Sequence, residues 1–267
     1  MPNIHQLQPG QPVDLIKMPT EGKVFQPDRQ VADDEFKILR DELIEMQRRF
    51  YAEGSRKLLI IFQAMDAGGK DGTIRRVFQG VNPQGVRVTS FKAPSKVELA
   101  HDFLWRVHQT VPATGMIGVF NRSHYEDVLV VRVHSLVPES IWRPRYKMIN
   151  DFERMLTETG TTILKCYLHI SKEEQRERFQ DRIDEPSKNW KFAMEDLAKR
   201  ELWHDYMAAY EEMLFKTTTD VAPWYVIPAD QKWYRNLVVA RLLVHKLREL
   251  NPQYPTPEQD LSGIVVT

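Results

Sequence analysis

The hydrophobic and polar positions of the chain follow two patterns, which together predict five strands separated by helices. Strand-like segments lie at residues 58–62, 86–91, 116–120, 162–170 and 224–229. They are short and rich in apolar residues, as strands buried in a sheet are. Between them, apolar residues recur at spacings of three and four, as in amphipathic helices. This alternation predicts an α/β protein whose parallel sheet is flanked by helices on both faces.

Several predicted helices begin or end at a recognisable cap. The first starts near residue 31, with Asp33 or Asp34 as N-cap and Gly54 beyond its end. Serine followed by glutamate three residues later has the spacing of a capping box and opens three more helices, near residues 95, 123 and 171. The remaining pattern places the later helices at residues 73–81, 95–108, 128–133, 145–160, 171–184, 194–215 and 233–250.

The chain divides into an arm, one domain and a tail. Residues 1–30 are rich in proline and glycine without periodicity, so we expect an arm lying on the surface or on a partner subunit. Residues 31–250 are predicted to form a single domain, because a chain of 267 residues can bury one large core. Residues 251–267 form a proline-rich tail.

The composition limits which classes of partner and which cellular location we expect. The 37 basic residues are balanced by 37 acidic ones, so no bulk positive field favours a nucleic acid or a membrane surface, and neither is expected as a partner. A single cysteine, Cys166, excludes an internal disulfide and a cysteine zinc cluster. No signal sequence or membrane-spanning run is present, so we expect a cytoplasmic protein.

The first strand leads directly into a glycine-rich segment, Ala64–Thr73. Its order of strand, glycines, Lys70 and helix is that of a phosphate-binding loop, in which backbone N–H groups surround phosphate oxygens and the lysine reaches the transferable group. The general pattern has glycine where this chain has Ala64, and serine or threonine where it has Asp71. Without that hydroxyl, Asp66 is the nearest candidate ligand for a magnesium ion. The alternative is that the glycine-rich segment forms an ordinary turn without a function.

A second polar segment, residues 121–127, follows another strand. Ligands of parallel sheets bind at the carboxyl ends of the strands, so this segment and the glycine loop should share one edge. Asp127 is the best second candidate for the metal, and the alternative is a first-turn carboxylate favoured by the helix dipole. Glu126 is alternatively only the capping partner of Ser123.

A third cluster of basic residues lies farther along the chain: Arg176, Arg178, Arg182, Lys188 and Lys191, with Trp190 among them. Arg178 and Arg182 are four residues apart and share a helix face, which suits forked contacts with phosphate oxygens. Many acidic residues accompany them, so the alternative is a solvated helix of salt bridges. With a glycine loop upstream, we interpret residues 172–200 as a lid. Tyr125, Trp142 and Trp190 could stack on a base, although large aromatic residues are more often core or interface residues.

No nucleophilic triad and no paired histidine metal motif is recognisable. This fits phosphoryl transfer between phosphates better than hydrolysis, because an ionised acceptor phosphate needs no strong base. Two other functions remain open on the loop alone: an ATP-dependent nucleoside or nucleotide kinase, and a nucleotide-binding regulatory module without turnover.

Several separated motifs, in their order, give a more specific indication. They are AMDAGGKDGTIRR, FKAPS at residues 91–95, FNRSHYEDVL at 120–129, RIDEPSKNWKF at 182–192 and APWYVIPAD at 222–230. Through them the chain resembles the type 2 polyphosphate kinase family, and in particular the branch that accepts both nucleoside mono- and diphosphates. The resemblance implies a three-layer P-loop kinase fold with a five-stranded parallel sheet and a helical lid.

The resemblance also implies an activity and a set of site residues. Inorganic polyphosphate would donate a phosphoryl group reversibly to ADP, and to AMP, GDP and GMP, with Mg²⁺, or Mn²⁺ as a substitute, in a homodimer or homotetramer. The metal ligands would be Asp66 and Asp127. The catalytic residues would be Asp66, Lys70, Arg122, Asp127, Arg178 and Arg182. The residues binding nucleotide or phosphate would be Ala67, Gly68, Gly69, Asp71, Gly72, Thr73, Asn121, Tyr125, Glu126, Lys188 and Lys191.

Overall fold

Five parallel strands form one sheet in the order β2-β3-β1-β4-β5, so the first strand lies at its centre. The computed structural model describes residues 2–262 and 264–266. The strands are β1 (Lys57–Ala64), β2 (Val86–Ser90), β3 (Ile117–Asn121), β4 (Thr161–His169) and β5 (Trp224–Pro228). The prediction of an α/β fold with a five-stranded parallel sheet is therefore confirmed.

Eleven α-helices lie in the described part of the chain and flank this sheet. They are α1 (Arg29–Glu53), α2 (Lys70–Val77), α3 (Lys96–Leu99), α4 (Trp105–His108), α5 (Val130–Val133), α6 (Glu139–Trp142), α7 (Arg145–Glu158), α8 (Lys172–Asp184), α9 (Met194–Glu201), α10 (Trp203–Thr217) and α11 (Lys232–Leu250). Short 3₁₀ helices lie at Pro2–His5, Gly22–Val24, Pro83–Gly85, His124–Asp127 and Pro186–Lys191.

The central strands are buried because helices cover them. In β1 every residue after Lys57 is buried, and β4 is buried except at Thr162. Such continuous apolar runs are typical of parallel sheets, whose crossover helices lie on their faces. Outside the sheet, α1 packs along α11, and two paired guanidinium–carboxylate contacts join them, Arg241 to Glu35 and Arg248 to Glu42.

The start of α1 differs from the prediction, whereas its end agrees with it. The N-cap is Asp28, whose carboxylate accepts from the backbone N–H groups of Gln30 and Val31 at 2.8 and 3.2 Å. The predicted caps lie inside the helix, where Asp33 pairs with Arg29. The helix therefore begins earlier than predicted, and Ala32 in its first turn is already buried. Gly54 ends the helix with a left-handed φ of 67°.

Two predicted helices are each divided in the structure. The segment predicted as a helix at residues 95–108 contains α3 and α4, because the Asp102 carboxylate accepts from the N–H of Leu104 and starts a new turn. The capping box of Ser95 and Glu98 is confirmed at the start of α3. The segment at residues 194–215 is divided into α9 and α10 at Leu202. Apolar spacing continues across both breaks and does not reveal them.

The predicted capping box at Ser123 is wrong. The Ser123 hydroxyl accepts from the N–H of Tyr125 and opens only a 3₁₀ turn, His124–Asp127. The helix predicted at residues 128–133 is the single turn α5, Val130–Val133. Glu126 is thus not a capping partner.

The N-terminal residues lie on the edge of the sheet. The Leu7 N–H donates to the carbonyl of Trp224 at 2.9 Å, and the Leu15 side chain is buried. The His5 ring is 2.9 Å from the hydroxyl of Tyr234 on α11. This segment covers the otherwise unpaired edge of β5, which would be open to pairing with another chain. No helix of the described residues is long and apolar enough to cross a membrane.

We expect the contact of α1 with the core to dominate its contribution to stability. Leu43 on α1 is fully buried, so Leu43→Ala should lower the free energy of unfolding by about 3 kcal/mol through lost burial and a residual cavity. Ile38, on the same helix, is 68% exposed, and Ile38→Ala should change the free energy of unfolding by less than about 1 kcal/mol. Urea unfolding followed by circular dichroism measures both, and equal losses would contradict the assignment of these faces.

Candidate active site

The glycine loop and the segment at residues 121–127 lie side by side because β1 and β3 are neighbours. Phe62 is paired in register with Asn121, and the N–H of Arg122 donates to the carbonyl of Phe62 at 3.1 Å. Both chains leave the sheet at its carboxyl edge, where ligands of parallel sheets bind. The side chains predicted to act together thus start from adjacent positions.

The glycine loop turns sharply into α2 through two residues with positive φ. Ala67 has a φ of 61° and Gly69 a φ of 99°, and α2 begins at Lys70. Glycine adopts this conformation without strain, whereas the alanine adopts it at a cost of about 1 kcal/mol. The turn leaves the first N–H groups of α2 free to face an anion.

The Lys70 ammonium is buried beneath this loop. It donates to the carbonyls of Ala64 at 2.7 Å and Met65 at 3.3 Å. Burial, reinforced by the nearby Arg122, lowers the pKa of Lys70 to about 8, so the side chain is still mostly protonated at neutral pH. A bound phosphate would replace these carbonyls as the acceptor of the ammonium.

Asp66 joins the two loops. Its carboxylate accepts from the Arg122 guanidinium at 2.7 Å and lies 3.4 Å from the Lys199 ammonium. Burial opposes ionisation of Asp66, but Arg122, Lys70 and Lys199 together hold its pKa below the usual value. Arg122 itself has a φ of 60°, unusual for a residue with a side chain, so the surrounding structure must hold it in place.

Two clefts meet at this pair. A cavity of about 610 Å³ is lined by the glycine loop and by residues of α8 and the following 3₁₀ turn, with eight basic side chains against four aspartates. We call it the basic cleft. A second cavity of about 530 Å³, the apolar cleft, has walls that include Val131, Leu136, Val137, Tyr206 and Tyr210. Both are lined by Asp66, Phe91, Lys92, Ala93 and Arg122.

Most of the predicted site residues line the basic cleft. They are Asp66, Ala67, Gly68, Gly69, Lys70, Asp71, Gly72, Asn121, Arg122, Arg178, Arg182, Lys188 and Lys191. The Asn121 amide donates to Asp71 at 2.5 Å, which fixes the position that carries a hydroxyl in the general pattern. The Lys188 ammonium pairs with Glu185, and Lys191 lies over the Trp190 ring, which is 79% exposed.

Two predicted ligand-binding side chains do not reach either cleft. The Thr73 side chain is fully buried, and its hydroxyl donates to the carbonyl of Gly69 inside α2. Tyr125 is also fully buried, with its hydroxyl on Glu153 at 2.6 Å. These corrections have one cause: adjacency in sequence to a site does not specify on which side of the backbone a side chain lies.

The two predicted lid arginines are bound to the protein itself. Arg178 is 7% exposed and donates to the carbonyls of Ala67, Ala229 and Asp230 and to Glu174. It therefore holds the glycine loop in place, and does not project freely from a lid.

Arg182 is less restrained. It donates to the carbonyl of Lys191 at 3.1 Å and to Asp196 at 3.3 Å, at the wall of the basic cleft.

Asp127 lies in the apolar cleft with Glu126 and faces two arginines. Arg145 donates to its carboxylate at 3.0 Å, and Arg106 lies 3.9 Å away. Burial raises the pKa of Asp127, although both arginines oppose the rise. The sequence prediction that Asp127 shares a metal with Asp66 therefore competes with an ion pair that the structure contains.

Glu126 lines the apolar cleft together with Asp66. Burial raises its pKa, opposed by Arg122 and Lys70, and the charge of Asp66 raises it further. When the Gln63 amide is oriented so that both its oxygen and its nitrogen have hydrogen-bond partners, the nitrogen donates to Glu126 at 3.0 Å. No group of three or more His, Cys, Asp or Glu side chains converges on a metal position within residues 2–262 and 264–266. Mg²⁺ needs fewer, because phosphate oxygens and waters complete its shell, so Asp66 with Glu126 suits it.

A buried ion pair supports residues 122–127 from below. Lys165 on β4 donates to Glu153 on α7 at 2.6 Å, to the carbonyl of Thr217 at 2.6 Å and to the Tyr125 hydroxyl at 3.0 Å. Lys165 holds the pKa of Glu153 below its usual value, although burial opposes this. His124 lies 3.3 Å from the same carboxylate. Buried pairs rarely add stability over apolar packing, so their value here is the fixed position of Tyr125.

Sequence reasoning missed six basic residues at the site: Lys92, Arg106, Arg145, Lys199, Lys232 and Arg235. Lys92 could have been found, since it follows β2 and so leaves the sheet at the same carboxyl edge. The others lie on helices or their ends, and nothing in their sequence neighbourhood distinguishes them from solvated residues.

Comparison with known proteins agrees on one family. Residues 26–255 match the family model described as Polyphosphate kinase 2. The chain is 53% identical over 263 residues to the AMP/ADP-polyphosphate phosphotransferase of Meiothermus ruber, covering 98% of each. It is 46% identical over 258 residues to the ADP-polyphosphate phosphotransferase of Rhodopseudomonas palustris, covering 92% of this chain and 89% of that protein.

A solved structure agrees as well. The crystal structure of polyphosphate kinase 2 from Arthrobacter aurescens TC1 superposes with a TM-score of 0.93 and is 42% identical, covering 97% of this chain and 93% of that one. The fold and the sequence therefore point to the same group of proteins.

Removing one hydroxyl should test the support of residues 122–127. Tyr125→Phe deletes one of the two side-chain groups, with the His124 ring, that connect this segment to the buried ion pair, at a cost of about 1–2 kcal/mol in local stability. Amide exchange across residues 122–127, measured by mass spectrometry, should become about tenfold faster.

Tyr167→Phe is the matched control. Tyr167 is equally buried on β4, but its hydroxyl contacts only the sulfur of Met207, at 4.0 Å. It should leave exchange across residues 122–127 unchanged. Similar acceleration in both variants would show that the ion pair does not act through Tyr125.

Proposed function

The chain belongs to the polyphosphate kinase 2 family, and from this we propose that it reversibly transfers a phosphoryl group from inorganic polyphosphate to a nucleotide. ADP and AMP are the proposed acceptors, as they are in the names of the two relatives, with GDP and GMP as further acceptors. The observation that carries the proposal is the meeting of the basic and apolar clefts at Asp66 and Arg122.

The basic cleft suits the polyphosphate chain. Its excess of lysine and arginine, together with the N-terminus of α2, provides the neutralisation that a run of phosphates requires. Lys188, Lys191 and Arg182 lie along its outer wall and are only partly engaged with protein groups. A polymer could therefore lie across the glycine loop and extend past this wall.

The apolar cleft suits the acceptor nucleotide. Its apolar walls can take a base and ribose, and the guanidinium groups of Arg106 and Arg145 lie beside Asp127 in the same cavity. The five basic side chains that line this cavity outnumber its three carboxylates, which leaves attraction for the phosphates of AMP or ADP.

Chemistry takes place where the clefts meet. The acceptor phosphate has a second pKa near ~6 and is ionised at neutral pH, so no general base is needed. The main requirement is to bring two anions into line and to neutralise the charge on the transferred group. Lys70 and Arg122 provide positive charge at that position, and the first N–H groups of α2 bind the oxygens of the donor.

A divalent cation, Mg²⁺ or Mn²⁺, is part of the proposal. Asp66 would hold it, with Glu126 or the predicted Asp127 as a second ligand. When bound, the ion neutralises and orients phosphate oxygens. The arm at the sheet edge and the lid at residues 172–200 remain predictions, as do the homodimer or homotetramer and the cytoplasmic location.

The activity itself is tested with the purified protein, inorganic polyphosphate, Mg²⁺ and each of AMP, ADP, GMP and GDP. Conversion of ADP to ATP is expected, and Lys70→Ala should lower kcat by at least about a hundredfold, because it removes a charge at the transferred group.

Lys37→Ala is the control for the loss of a lysine, because Lys37 is exposed on α1 and pairs only with Asp34. Transfer from ATP but not from polyphosphate would establish an ATP-dependent kinase instead. Tight nucleotide binding without any transfer would establish a regulatory module.

If the two clefts bind two different substrates, a substitution in one cleft should affect the KM of one substrate and not of the other. Arg145→Gln should raise the KM for ADP by about tenfold and leave that for polyphosphate nearly unchanged, because one charged contact is lost on the nucleotide side. The double variant Lys188→Ala/Lys191→Ala should do the reverse. Steady-state kinetics with each substrate varied in turn measure both effects. If each variant changed both KM values equally, the assignment of the clefts would be wrong.

A further inference from the structure

Arg235, in the first turn of α11, lies against the backbone of the glycine loop. Its side chain is 3% exposed. A methyl group added at Gly69 would come within 1.9 Å of its Nη1, and one added at Gly72 within 3.7 Å of its Nη2. Gly69 and Gly72 also line the basic cleft, so the guanidinium lies against the loop backbone that bounds this cleft.

This buried charge has no acidic partner in the part of the chain that the structure describes. Its hydrogen bonds go only to the amide oxygen of the neighbouring Asn236, at 3.4 and 3.2 Å. Burial, with the nearby Arg178, lowers the pKa of Arg235 to about 9, and Glu174 only partly opposes this. Burying a guanidinium without a counter-ion costs several kcal/mol, so a purely structural arginine would be expected to find one.

Two other arginines have a structural role, in which protein groups satisfy the guanidinium. Arg241, less than two turns along the same helix, makes a paired contact with Glu35. Arg178, also beneath the loop, is saturated by three carbonyls and Glu174. Arg235 has neither arrangement, although it lies deeper in the protein than Arg241.

The groups around Arg235 increase the excess of positive charge. Arg178 Nη1 lies 3.4 Å from the same position at Gly69, and the Lys70 ammonium lies under the same loop. The N-terminus of α2 adds the positive end of its dipole. Without a bound anion, these groups repel one another across the thickness of the loop.

We propose that Arg235 is a positioning residue for polyphosphate, whose charge is compensated only when a phosphate chain lies on the glycine loop. It acts through the loop, since the absence of side chains at Gly69 and Gly72 lets the guanidinium pack directly on the backbone that binds the phosphate. This inference rests on the proposed function and adds a residue that neither the loop motif nor the lining of the clefts identifies.

The test compares Arg235→Gln, Arg235→Lys and the control Arg241→Gln with the unaltered protein. Binding of inorganic polyphosphate is measured by calorimetry, and thermal unfolding is followed with and without it. Arg235→Gln should weaken polyphosphate binding by about tenfold, while the KM for ADP changes less than twofold. Arg235→Lys should restore most of the binding, because it keeps the charge.

The unfolding temperature separates this role from a structural one. Without polyphosphate, Arg235→Gln should unfold at the same or a higher temperature, since an uncompensated buried charge has been removed. The stabilisation produced by polyphosphate should shrink. Arg241→Gln should do the opposite, with lower stability and unchanged binding.

Three results would overturn the proposal. One is undiminished polyphosphate binding in Arg235→Gln. Another is a marked loss of stability in that variant without ligand, together with equal losses for both substrates. Absence of polyphosphate binding in the unaltered protein would overturn the proposed function as well, which distinguishes the two failures.

Discussion

The parallel pairing of β1 with β3 is the constraint on which the site depends. It places Asn121 beside Phe62, so the loops that follow the two strands must leave the sheet next to each other. The contact of Arg122 with Asp66 then joins a phosphate-binding loop to the wall of a second cleft. This arrangement suits the proposed reaction between two separately bound anions, since both clefts are lined by the residues of the junction.

Charge compensation explains much of what surrounds this junction. Lys70 and Arg178 are satisfied by carbonyls of the loop, whereas Lys165 is satisfied by a carboxylate and supports the loop from a distance. Arg235 has no such partner in the described chain. Paired cations thus fix the backbone, and the cation without such a partner is the one to which we assign a role in polyphosphate binding.

Sequence reasoning succeeded where the physical signal is local. The five strands, Gly54 as a helix end and the glycine loop all depend on short stretches of chain. It failed where the deciding contact is distant. Tyr125 lies in the core, where its hydroxyl donates to Glu153, 28 residues away in the chain. Arg235 reaches the loop from more than 160 residues along the chain, a relation that only the folded sheet creates.

The N-terminal segment has a consequence for the order in which the chain can fold. Its partners are Trp224 on β5 and Tyr234 on α11, which are synthesised after every other strand of the sheet. Residues 5–15 therefore leave the ribosome early, yet their binding site is completed only when α11 has emerged. During translation these residues must wait for elements made after every other strand, and their docking joins segments that lie 229 residues apart in the chain.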